Sequence, residues 1–359
     1  MTSSEPRAPF DPESFRPTAT LGLLQLRSEL LAFTRAFFLS HGFWEVETPI
    51  LSRDVVVDAY LEPFVTRAQT GAACAKPDQA DELFLQTSPE FGMKRLVASG
   101  ASAILQITRA FRRGEIGSRH NPEFTLVEWY RTASTYHEQM SFVEEFVSGF
   151  FERVATIKKR GLADFPKEVF ETPRRPFQRI SYDQAFEEAL GRRVLSQSAA
   201  ELAQLADLLG VHAPPGLAAD DVDGWLNLLL ALRVEPVLAP KPALFLYDYP
   251  PSQAALARIR PGPPAVAERF ELYLRGIEIC NGYQELTDAD ELRRRIALQA
   301  ALRRRDGNRP LPAESRLLDA MDAGLPECAG VALGFDRLLM SAVVAASLAE
   351  VMAFPFDRA

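Results

Sequence analysis

FRRGEIGSRHNPEFTLVEWY, residues 111–130, is the stretch of this chain that decides its fold. It predicts a strand, a basic turn that contains two glycines, and a returning strand. Phe124, Leu126, Glu128 and Tyr130 alternate along the returning strand, so we expect them to share one face. Carboxylate and phenol groups beside an arginine-lined turn are unusual for a purely structural core. They suit a site that binds a polyphosphate at one end and an ammonium group at the other.

Length and composition indicate a globular protein of one large domain or two. The chain has 359 residues, of which 47% are hydrophobic, enough for a substantial core. Its net charge of −8 argues against a large nucleic-acid-binding surface. The three cysteines include no C-x-x-C pair and favour a reducing compartment over a disulfide framework or zinc site. Because no run of about 18 apolar residues occurs, we expect a cytoplasmic protein without a membrane segment.

The order of predicted elements indicates an α+β fold. Residues 1–17 are polar and proline-rich and predict a flexible N-terminal arm. Residues 136–240 contain helical stretches between proline-rich breaks, which predicts a helical insertion. The Asn281-Gly282 pair predicts a turn within an otherwise strand-like region. Strands joined by hairpins and long connections favour an antiparallel β-sheet flanked by helices.

Three motifs resemble those of class II aminoacyl-tRNA synthetases, and specifically the lysyl type. Residues 42–51 (GFWEVETPIL) resemble motif 1, residues 111–130 motif 2, and residues 330–338 (GVALGFDRL) motif 3. The resemblance implies the synthetase-like antiparallel sheet, ATP and Mg²⁺ as cofactors, and a homodimer formed through motif 1. The chain has neither a P-loop nor a Gly-x-Gly-x-x-Gly motif, so side chains on the sheet must hold any nucleotide.

The resemblance also assigns an ATP site. Arg112 would contact the α-phosphate, and Arg337 would cover adenine and reach the γ-phosphate, which makes these two arginines the catalytic residues. Phe124 would stack on the other face of adenine. Taken alone, the arginines would be solvated charges and Phe124 a core aromatic residue. The other expected ATP-binding residues are Arg113, Gly114, Glu115, His120, Asn121, Glu278, Ile279 and Gly334.

The chain departs from the family at the residues that would read adenine. The family usually has Arg-x-Glu in motif 2, with the glutamate on the adenine amino group. This chain has Arg112-Arg113-Gly114, and Glu115 follows one place later. Either Glu115 or the backbone of Gly114 would take that role.

Glu271, Glu278 and Glu285 recur every seven residues, a spacing that would alternate faces unless turns re-aim the side chains. The resemblance assigns Glu271 and Glu278 to Mg²⁺ that bridges ATP phosphates, and Glu285 to a substrate amine. Alone, these acids would be exposed strand residues. A pocket rich in carboxylates and hydroxyls would select a diamine, because burying an unpaired ammonium is costly. The other expected substrate-binding residues are Ser88, Pro89, Glu90, Glu128, Tyr130, Asn281, Tyr283 and Ala332.

A lysyl-tRNA synthetase carries an N-terminal OB-fold, which the roughly 20 residues before the first predicted helix cannot form. Residues 18–359 are therefore expected to be a catalytic domain without an anticodon-binding domain. Residues 88–96, 120–131 and 331–334 more closely resemble a related family of ligases that attach (R)-β-lysine to a lysine of elongation factor P. Ala332 stands where the synthetases have glycine, and its methyl group would favour β-lysine over lysine. This resemblance implies adenylation followed by amide formation, without tRNA as a partner.

Two alternatives remain open from the sequence. The first is a free-standing lysine- or diamine-activating enzyme that acylates tRNA or a small molecule. The second is a non-catalytic binding module. The retained Arg112, Glu278, Glu285 and Arg337 argue against the binding module. Arginine triplets at residues 293–295 and 303–305 lie on one predicted helix, where a solvated face is favoured over a docking patch.

Overall fold

The computed structural model describes residues 15–68, 81–161 and 169–359. The expected N-terminal arm and Cys74 lie almost wholly outside these ranges. Within them, no helix combines the length and apolar character needed to cross a membrane.

The described residues form α-helices and β-strands with the following bounds. The helices are α1 (Leu21–Ser40), α2 (Glu90–Ala98), α3 (Tyr136–Lys159), α4 (Tyr182–Leu190), α5 (Ala199–Leu208), α6 (Val222–Leu229), α7 (Glu235–Leu238), α8 (Ala289–Arg305), α9 (Arg316–Gly324) and α10 (Phe335–Ala342). The strands are β1 (Trp44–Glu45), β2 (Leu51–Ser52), β3 (Val65–Ala68), β4 (Asp81–Leu85), β5 (Ala103–Phe111), β6 (Glu123–Thr132), β7 (Gln178–Ser181), β8 (Leu244–Tyr249), β9 (Ile259–Arg260), β10 (Val266–Leu274), β11 (Ile277–Gln284) and β12 (Cys328–Gly334).

A central sheet in the order β1-β5-β6-β12-β11-β10-β8-β7 organises the described residues, with β9 paired to β10. Its pairs are antiparallel except β1–β5 and β7–β8 at its two ends, which are parallel. A small sheet in the order β2-β4-β3 lies beside it. The predicted α+β class is confirmed, and the two parallel end pairs make the central sheet mixed.

Helix ends follow from local capping. The side chain of Thr20 accepts a hydrogen bond at the start of α1, and Thr135 with Glu138 forms a capping box at the start of α3. Helices α4–α7 pack with β7 and β8 in one apolar cluster, whereas α3 packs with α1 in another. That residues 136–240 form a single insertion stays a prediction.

Alternation along β6 separates a core face from a site face. Val127 and Trp129 are fully buried in the cluster formed with α1 and α3. Leu126, Glu128 and Tyr130 line a cavity on the opposite face. The predicted alternation therefore has a structural counterpart, because odd and even positions of a strand face opposite sides.

The turn predicted at Asn281-Gly282 is wrong. Both residues lie inside the continuous strand β11, and the chain reverses at Arg275 and Gly276, where φ is +46° and +72°. A Cβ atom on Gly282 would lie 2.4 Å from the ring of Phe270. Glycine is therefore required for close packing between strands rather than for a turn.

Candidate active site

A cavity of about 560 Å³ lies over the site face of the sheet. It brings together most of the predicted site residues: Ser88, Glu90, Arg112, Glu115, His120, Asn121, Phe124, Glu128, Tyr130, Glu278, Ile279, Asn281, Tyr283, Glu285, Ala332, Gly334 and Arg337. Among the described residues, four predicted site residues are not in the cavity wall: Pro89, Arg113, Gly114 and Glu271. Pro89 caps helix α2, and the N–H of Arg113 donates to the carbonyl of Glu62.

The hairpin between β5 and β6 places cationic and aromatic groups at one end of the cavity. Arg112 follows directly after β5, and its guanidinium carbon lies 5.0 Å from the centroid of the Phe124 ring. Its Nη1 atom is 3.7 Å from Oε1 of Glu115. This end combines a partly buried cation with an aromatic face, an arrangement suited to phosphate and adenine.

Arg337, in the first turn of α10, lies in the same end of the cavity. Its guanidinium donates to the carbonyl of Glu278 at 3.2 Å and to its Oε2 at 3.3 Å, and Nη2 is 2.7 Å from Nε2 of His120. Burial, and then the charge of Arg337, lower the pKa of His120. The neutral imidazole therefore accepts the hydrogen bond and holds the guanidinium in place.

Asp336 fixes this arginine relative to β6. Its Oδ2 accepts from the N–H of Thr125 at 2.6 Å, and its Oδ1 lies 2.6 Å from Nη1 of Arg27 on α1. Because Thr125 and Asp336 are the chain neighbours of Phe124 and Arg337, this network sets the spacing between the ring and the second arginine.

Asn121 has a second task besides lining the cavity. Its Nδ2 donates to the carbonyl of Glu123 at 2.6 Å, and its Oδ1 accepts from the N–H of Phe356 at 2.9 Å. The side chain thus ties the hairpin to the last turn of the chain. The Oγ1 atom of Thr87, which also lines the cavity, is buried without a hydrogen-bond partner among the described residues.

Glu278 and Glu271, the two predicted magnesium ligands, differ in availability. The side chain of Glu278 is 41% exposed, whereas Glu271 is buried. Oε1 of Glu271 accepts from Arg269, and Oε2 accepts from the hydroxyls of Tyr249 and Tyr273. The register of β10 and β11 shifts between residues 272 and 273, which changes the direction of the side chains along β10. From the sequence alone, a turn is expected to do this.

At the other end of the cavity, Glu128 is held by two hydroxyl groups. Its Oε2 accepts from Ser88 at 2.8 Å and its Oε1 accepts from Tyr130 at 2.7 Å. Burial, and then the nearby charge of Glu90, raise the pKa of Glu128 to about 7. The hydroxyl of Ser88 also accepts a hydrogen bond from the backbone N–H of Glu90 at 3.1 Å, so it contacts both Glu128 and the start of α2.

Lys94, on α2, joins the other two pocket acids. Its Nζ lies 2.6 Å from Oε1 of Glu90 and 2.5 Å from Oε2 of Glu285. Burial raises the pKa of Glu285 to about 8, although the charge of Lys94 opposes the shift. Burial would lower the pKa of Lys94, but Glu285 and Glu90 outweigh burial and raise it. Lys94 is therefore a protonated cation that contacts two pocket acids from behind the cavity wall.

The pocket also contains an unused acceptor and a close contact. Oδ1 of Asn281 is buried without a hydrogen-bond partner among the described residues, so it can accept from a bound amine. A Cβ atom on Gly330 would lie 2.4 Å from both Oε1 of Glu285 and the ring of Tyr130. Ala332, two residues further along β12, is the register partner of both Asn281 and Glu128, which places its methyl group between these polar side chains.

Sequence reasoning missed Lys94, Gly330 and Arg269. The signal for Lys94 was its position four residues after Glu90 on a predicted helix, where opposite charges meet. Arg269 precedes Glu271 by two residues on a strand, so the two side chains share a face. For Gly330 no local signal exists, because the need for glycine there depends on two distant side chains, Tyr130 on β6 and Glu285 just after β11.

The solvated arginine face predicted on α8 is only partly correct. Arg293 pairs with Asp322 and Asp290, and Arg294 pairs with Glu291. Arg303 is fully buried. Its guanidinium donates to three backbone carbonyls, those of Asp58, Leu61 and Arg309, and it also pairs with Glu62. Arg303 therefore supports the loop at residues 58–62, whereas Arg304 and Arg305 remain exposed.

Comparison with known proteins agrees with this geometry. The sequence family described as class II tRNA synthetases (D, K and N) matches residues 14–358. The chain therefore belongs to the class II aminoacyl-tRNA synthetase family, and the predicted family and fold are confirmed.

Several similar proteins carry the name elongation factor P–(R)-β-lysine ligase. The Erwinia tasmaniensis protein is 40% identical over 97% of this chain and 99% of its own length. The Vibrio vulnificus protein is 40% identical over 96% of this chain and 99% of its own length. The Salmonella dublin protein is 39% identical over 96% of this chain and 98% of its own length. Similarity thus extends over nearly the whole of each protein.

Proposed function

We propose that this protein is a ligase that adenylates (R)-β-lysine with ATP and transfers the β-lysyl group to a lysine side chain of elongation factor P. One observation carries the proposal: a single cavity joins an arginine-lined, aromatic end to a buried pocket with three carboxylates. The first end suits ATP and the second suits a diamine. The names of relatives at 39–40% identity supply the amino acid and the acceptor.

In the first step, a carboxylate oxygen of β-lysine attacks the α-phosphorus of ATP. A C–O–P linkage forms, the bond to the β-phosphate breaks, and pyrophosphate leaves. Arg112 stabilises negative charge on the α-phosphoryl oxygens, and Arg337 neutralises the departing phosphates. Glu90, Glu128 and Glu285 hold the ammonium groups, so the reaction depends on positioning rather than on a covalent enzyme nucleophile.

Magnesium fits this site through one protein carboxylate rather than two. Among the described residues, no group of three or more His, Cys, Asp or Glu side chains is placed to bind a metal by itself. Glu278 is accessible in the cavity, whereas both oxygens of Glu271 already accept hydrogen bonds. We assign Glu278 as the ligand and Glu271 as its supporting neighbour. Bound Mg²⁺ would neutralise phosphate charge, and it commonly uses one carboxylate together with phosphates and water.

For adenine, we favour Glu115 over the backbone of Gly114. Glu115 lies in the cavity wall and within ion-pair reach of Arg112. Gly114 is outside the wall and adopts φ +86°, which serves the turn. A carboxylate in the wall can accept from the adenine amino group.

In the second step, a neutral lysine ε-amine of elongation factor P attacks the acyl carbon of the adenylate. The new C–N amide bond forms, the C–O bond to phosphate breaks, AMP leaves, and the amine loses a proton. Substrate selection in the first step restricts which acyl group reaches the acceptor.

Intact-mass spectrometry of purified elongation factor P tests the whole proposal. We expect the factor to gain one β-lysyl group after incubation with this protein, ATP, Mg²⁺ and (R)-β-lysine. Arg112→Ala should abolish the gain. Release of AMP and pyrophosphate without modification of the factor would overturn the assigned acceptor, and absence of both products would overturn the enzymatic proposal.

The second candidate is an activating enzyme that acylates tRNA or a small molecule. The net charge of −8 and the names of the relatives favour the protein acceptor. A parallel reaction with total tRNA in place of the factor separates the two, because only the second candidate forms aminoacyl-tRNA. The cytoplasmic location and the homodimer stay predictions.

A further inference from the structure

Lys94 is a buried cation directly behind a pocket that has to receive cations: it contacts two of the pocket acids but is not part of the cavity wall. Its side chain is 2% exposed, and its ammonium lies between Glu90 and Glu285, the latter 1% exposed. A lysine here opposes the attraction of substrate, because it neutralises part of the negative charge that would attract substrate ammonium groups. Its place therefore needs a reason other than substrate attraction.

The charge of the pocket can be counted from the groups that face Lys94 and Glu285. Lys94 contributes one positive charge. Three carboxylates contribute three negative charges when they are ionised: Glu90, Glu128 and Glu285. The other titratable groups nearby remain neutral because burial raises the pKa of each: Tyr130, Tyr283 and Cys328. With all three acids ionised, as bound ammonium groups would keep them, the sum is two negative charges. The empty pocket holds protons near neutral pH, because the pKa of Glu128 is about 7 and that of Glu285 about 8.

A diamino acid brings two ammonium groups to this pocket, while its carboxylate faces the phosphate-binding end. Two positive charges therefore meet two net negative charges, with none left over. Without Lys94, one carboxylate would stay uncompensated in a water-poor site, which is strongly unfavourable. That carboxylate would take up a proton instead.

We propose that Lys94 is a positioning residue that orients Glu90 and Glu285 and leaves the substrate-bound pocket with two net negative charges, so that it selects substrates with two ammonium groups. This inference rests on the proposed function only in taking a diamino acid as substrate; it is independent of the acceptor. A purely structural role would concern the stability of α2 and would leave the ionisation of the pocket unaffected.

The test is the pH dependence of kcat/KM for β-lysine- and lysine-dependent ATP–pyrophosphate exchange in Lys94→Met. Loss of the cation removes a stabilising neighbour from both acids. We expect the acidic limb of the profile to move upward by about one to three pH units. The Kd for ATP should stay within about twofold. The matched control is Arg95→Met, the next residue on α2, which has no ion pair with Glu90 or Glu285 among the described contacts and should leave the limb in place.

The double variant Lys94→Met/Glu90→Gln restores two net negative charges without the lysine. We expect its acidic limb to return toward the wild-type position, whereas a structural role predicts a defect at least as severe as in the single variant. An unmoved limb in the single variant, or no return in the double variant, would overturn the proposal.

Wild-type protein offers a check that does not depend on the folding of a variant. Calorimetry in buffers of different ionisation enthalpy should show that lysine binding releases about one proton more than binding of norleucine, which has a single ammonium group. Equal proton release would overturn the charge balance. If the wild type supports no exchange with either diamine, the proposed function fails, and that result is distinct from failure of the Lys94 assignment.

Discussion

At the scale of residues, the buried carboxylates of the amino-acid pocket make the empty protein less stable when they ionise, but the ionised form binds ammonium groups. Burial raises the pKa of Glu128 to about 7 and that of Glu285 to about 8. The folded protein therefore holds protons that the unfolded chain loses near pH 4.5. The free energy of unfolding must fall as pH rises through this window, because the folded state binds more protons. Bound ammonium groups stabilise the ionised carboxylates and so oppose this loss of stability.

This linkage predicts that the empty protein melts at a lower temperature at pH 8.5 than at pH 6, by a few degrees. Added lysine should raise the melting temperature more at pH 8.5 than at pH 6, since ionised carboxylates bind it. Differential scanning calorimetry measures both effects. In Glu285→Gln the dependence of melting temperature on pH should become shallower; an unchanged slope would contradict the assignment.

Glu285→Gln should also abolish diamine selectivity while sparing ATP binding. The amide keeps the volume of the side chain but loses the charge that pairs with an ammonium group. We expect kcat/KM for β-lysine-dependent ATP–pyrophosphate exchange to fall by at least a hundredfold, equivalent to about 3 kcal/mol. Glu327→Gln, at an exposed acid beside β12, is the control. If Glu285→Gln activates β-lysine as well as the wild type does, the assigned role of Glu285 is refuted.

Ala332→Gly should raise the use of lysine relative to β-lysine. Removal of the methyl group restores space at the pocket wall, and such a change is worth about 1–3 kcal/mol. We expect the preference ratio from exchange kinetics to shift by about tenfold. Ala329→Gly lies on the same strand but outside the cavity wall. It should leave the ratio unchanged, and an equal ratio in both variants would remove Ala332 from the specificity argument.

At the scale of elements, the loop at residues 58–62 is held by side chains of one helix, α8. Arg303 on α8 is fully buried and binds the carbonyls of Asp58 and Leu61. Asp58, Tyr60 and Leu61 in turn line the cavity. Gln299, also on α8, accepts the N–H of Ala59 at 2.8 Å. The stability of α8 and the shape of this part of the cavity wall are therefore coupled, and the guanidinium of Arg303 makes most of the contacts.

Arg303→Met should destabilise the protein by about 3–5 kcal/mol, because it leaves Glu62 without its buried partner. It should also raise KM in the exchange assay, because the loop is released. Arg304→Met removes the same charge from an exposed neighbour and should change the free energy of unfolding by less than about 0.5 kcal/mol. Denaturant titration measures both, and similar effects for the two variants would contradict this account.

The sequence predicted the elements whose signals are local. Alternation along β6 and the order of the three motifs led to the correct class of fold and to the cavity residues of β6. The Asn281-Gly282 turn failed because the requirement for glycine came from Phe270 on a neighbouring strand, a contact that local sequence does not encode. Lys94 was overlooked for a related reason. Its second partner, Glu285, lies 191 positions away in the chain, and only the fold brings them within 2.5 Å.

For the whole molecule, exposed apolar residues mark the region expected to form a dimer. Trp44 is 53% exposed, Ile50 42% and Leu51 41%, all within the stretch that resembles motif 1. Trp44 also lies on β1, at one end of the central sheet. Apolar side chains at a sheet edge favour burial against a second subunit.

Trp44→Glu should therefore weaken self-association at least tenfold, because it places a charge in the expected interface. Sedimentation velocity across a concentration series measures the dissociation constant. Leu208→Glu is the control, since Leu208 is 82% exposed on α5, away from motif 1. A monomeric wild-type protein at micromolar concentration, or equal dissociation constants for the two variants, would refute this interface.

Strand β6 carries Phe124 at the nucleotide end of the cavity and Tyr130 at the amine end. Six residues of extended chain separate their Cα atoms by about 20 Å. The strand thus fixes the distance between the two ends of the cavity, and side-chain substitutions leave this distance unchanged. Relatives can acquire new specificity by exchanging residues at either end of the strand. A one-residue insertion between Phe124 and Tyr130 would instead turn one of these side chains to the opposite face of the sheet. We therefore expect length variation in this family to fall in the loops and not in β6.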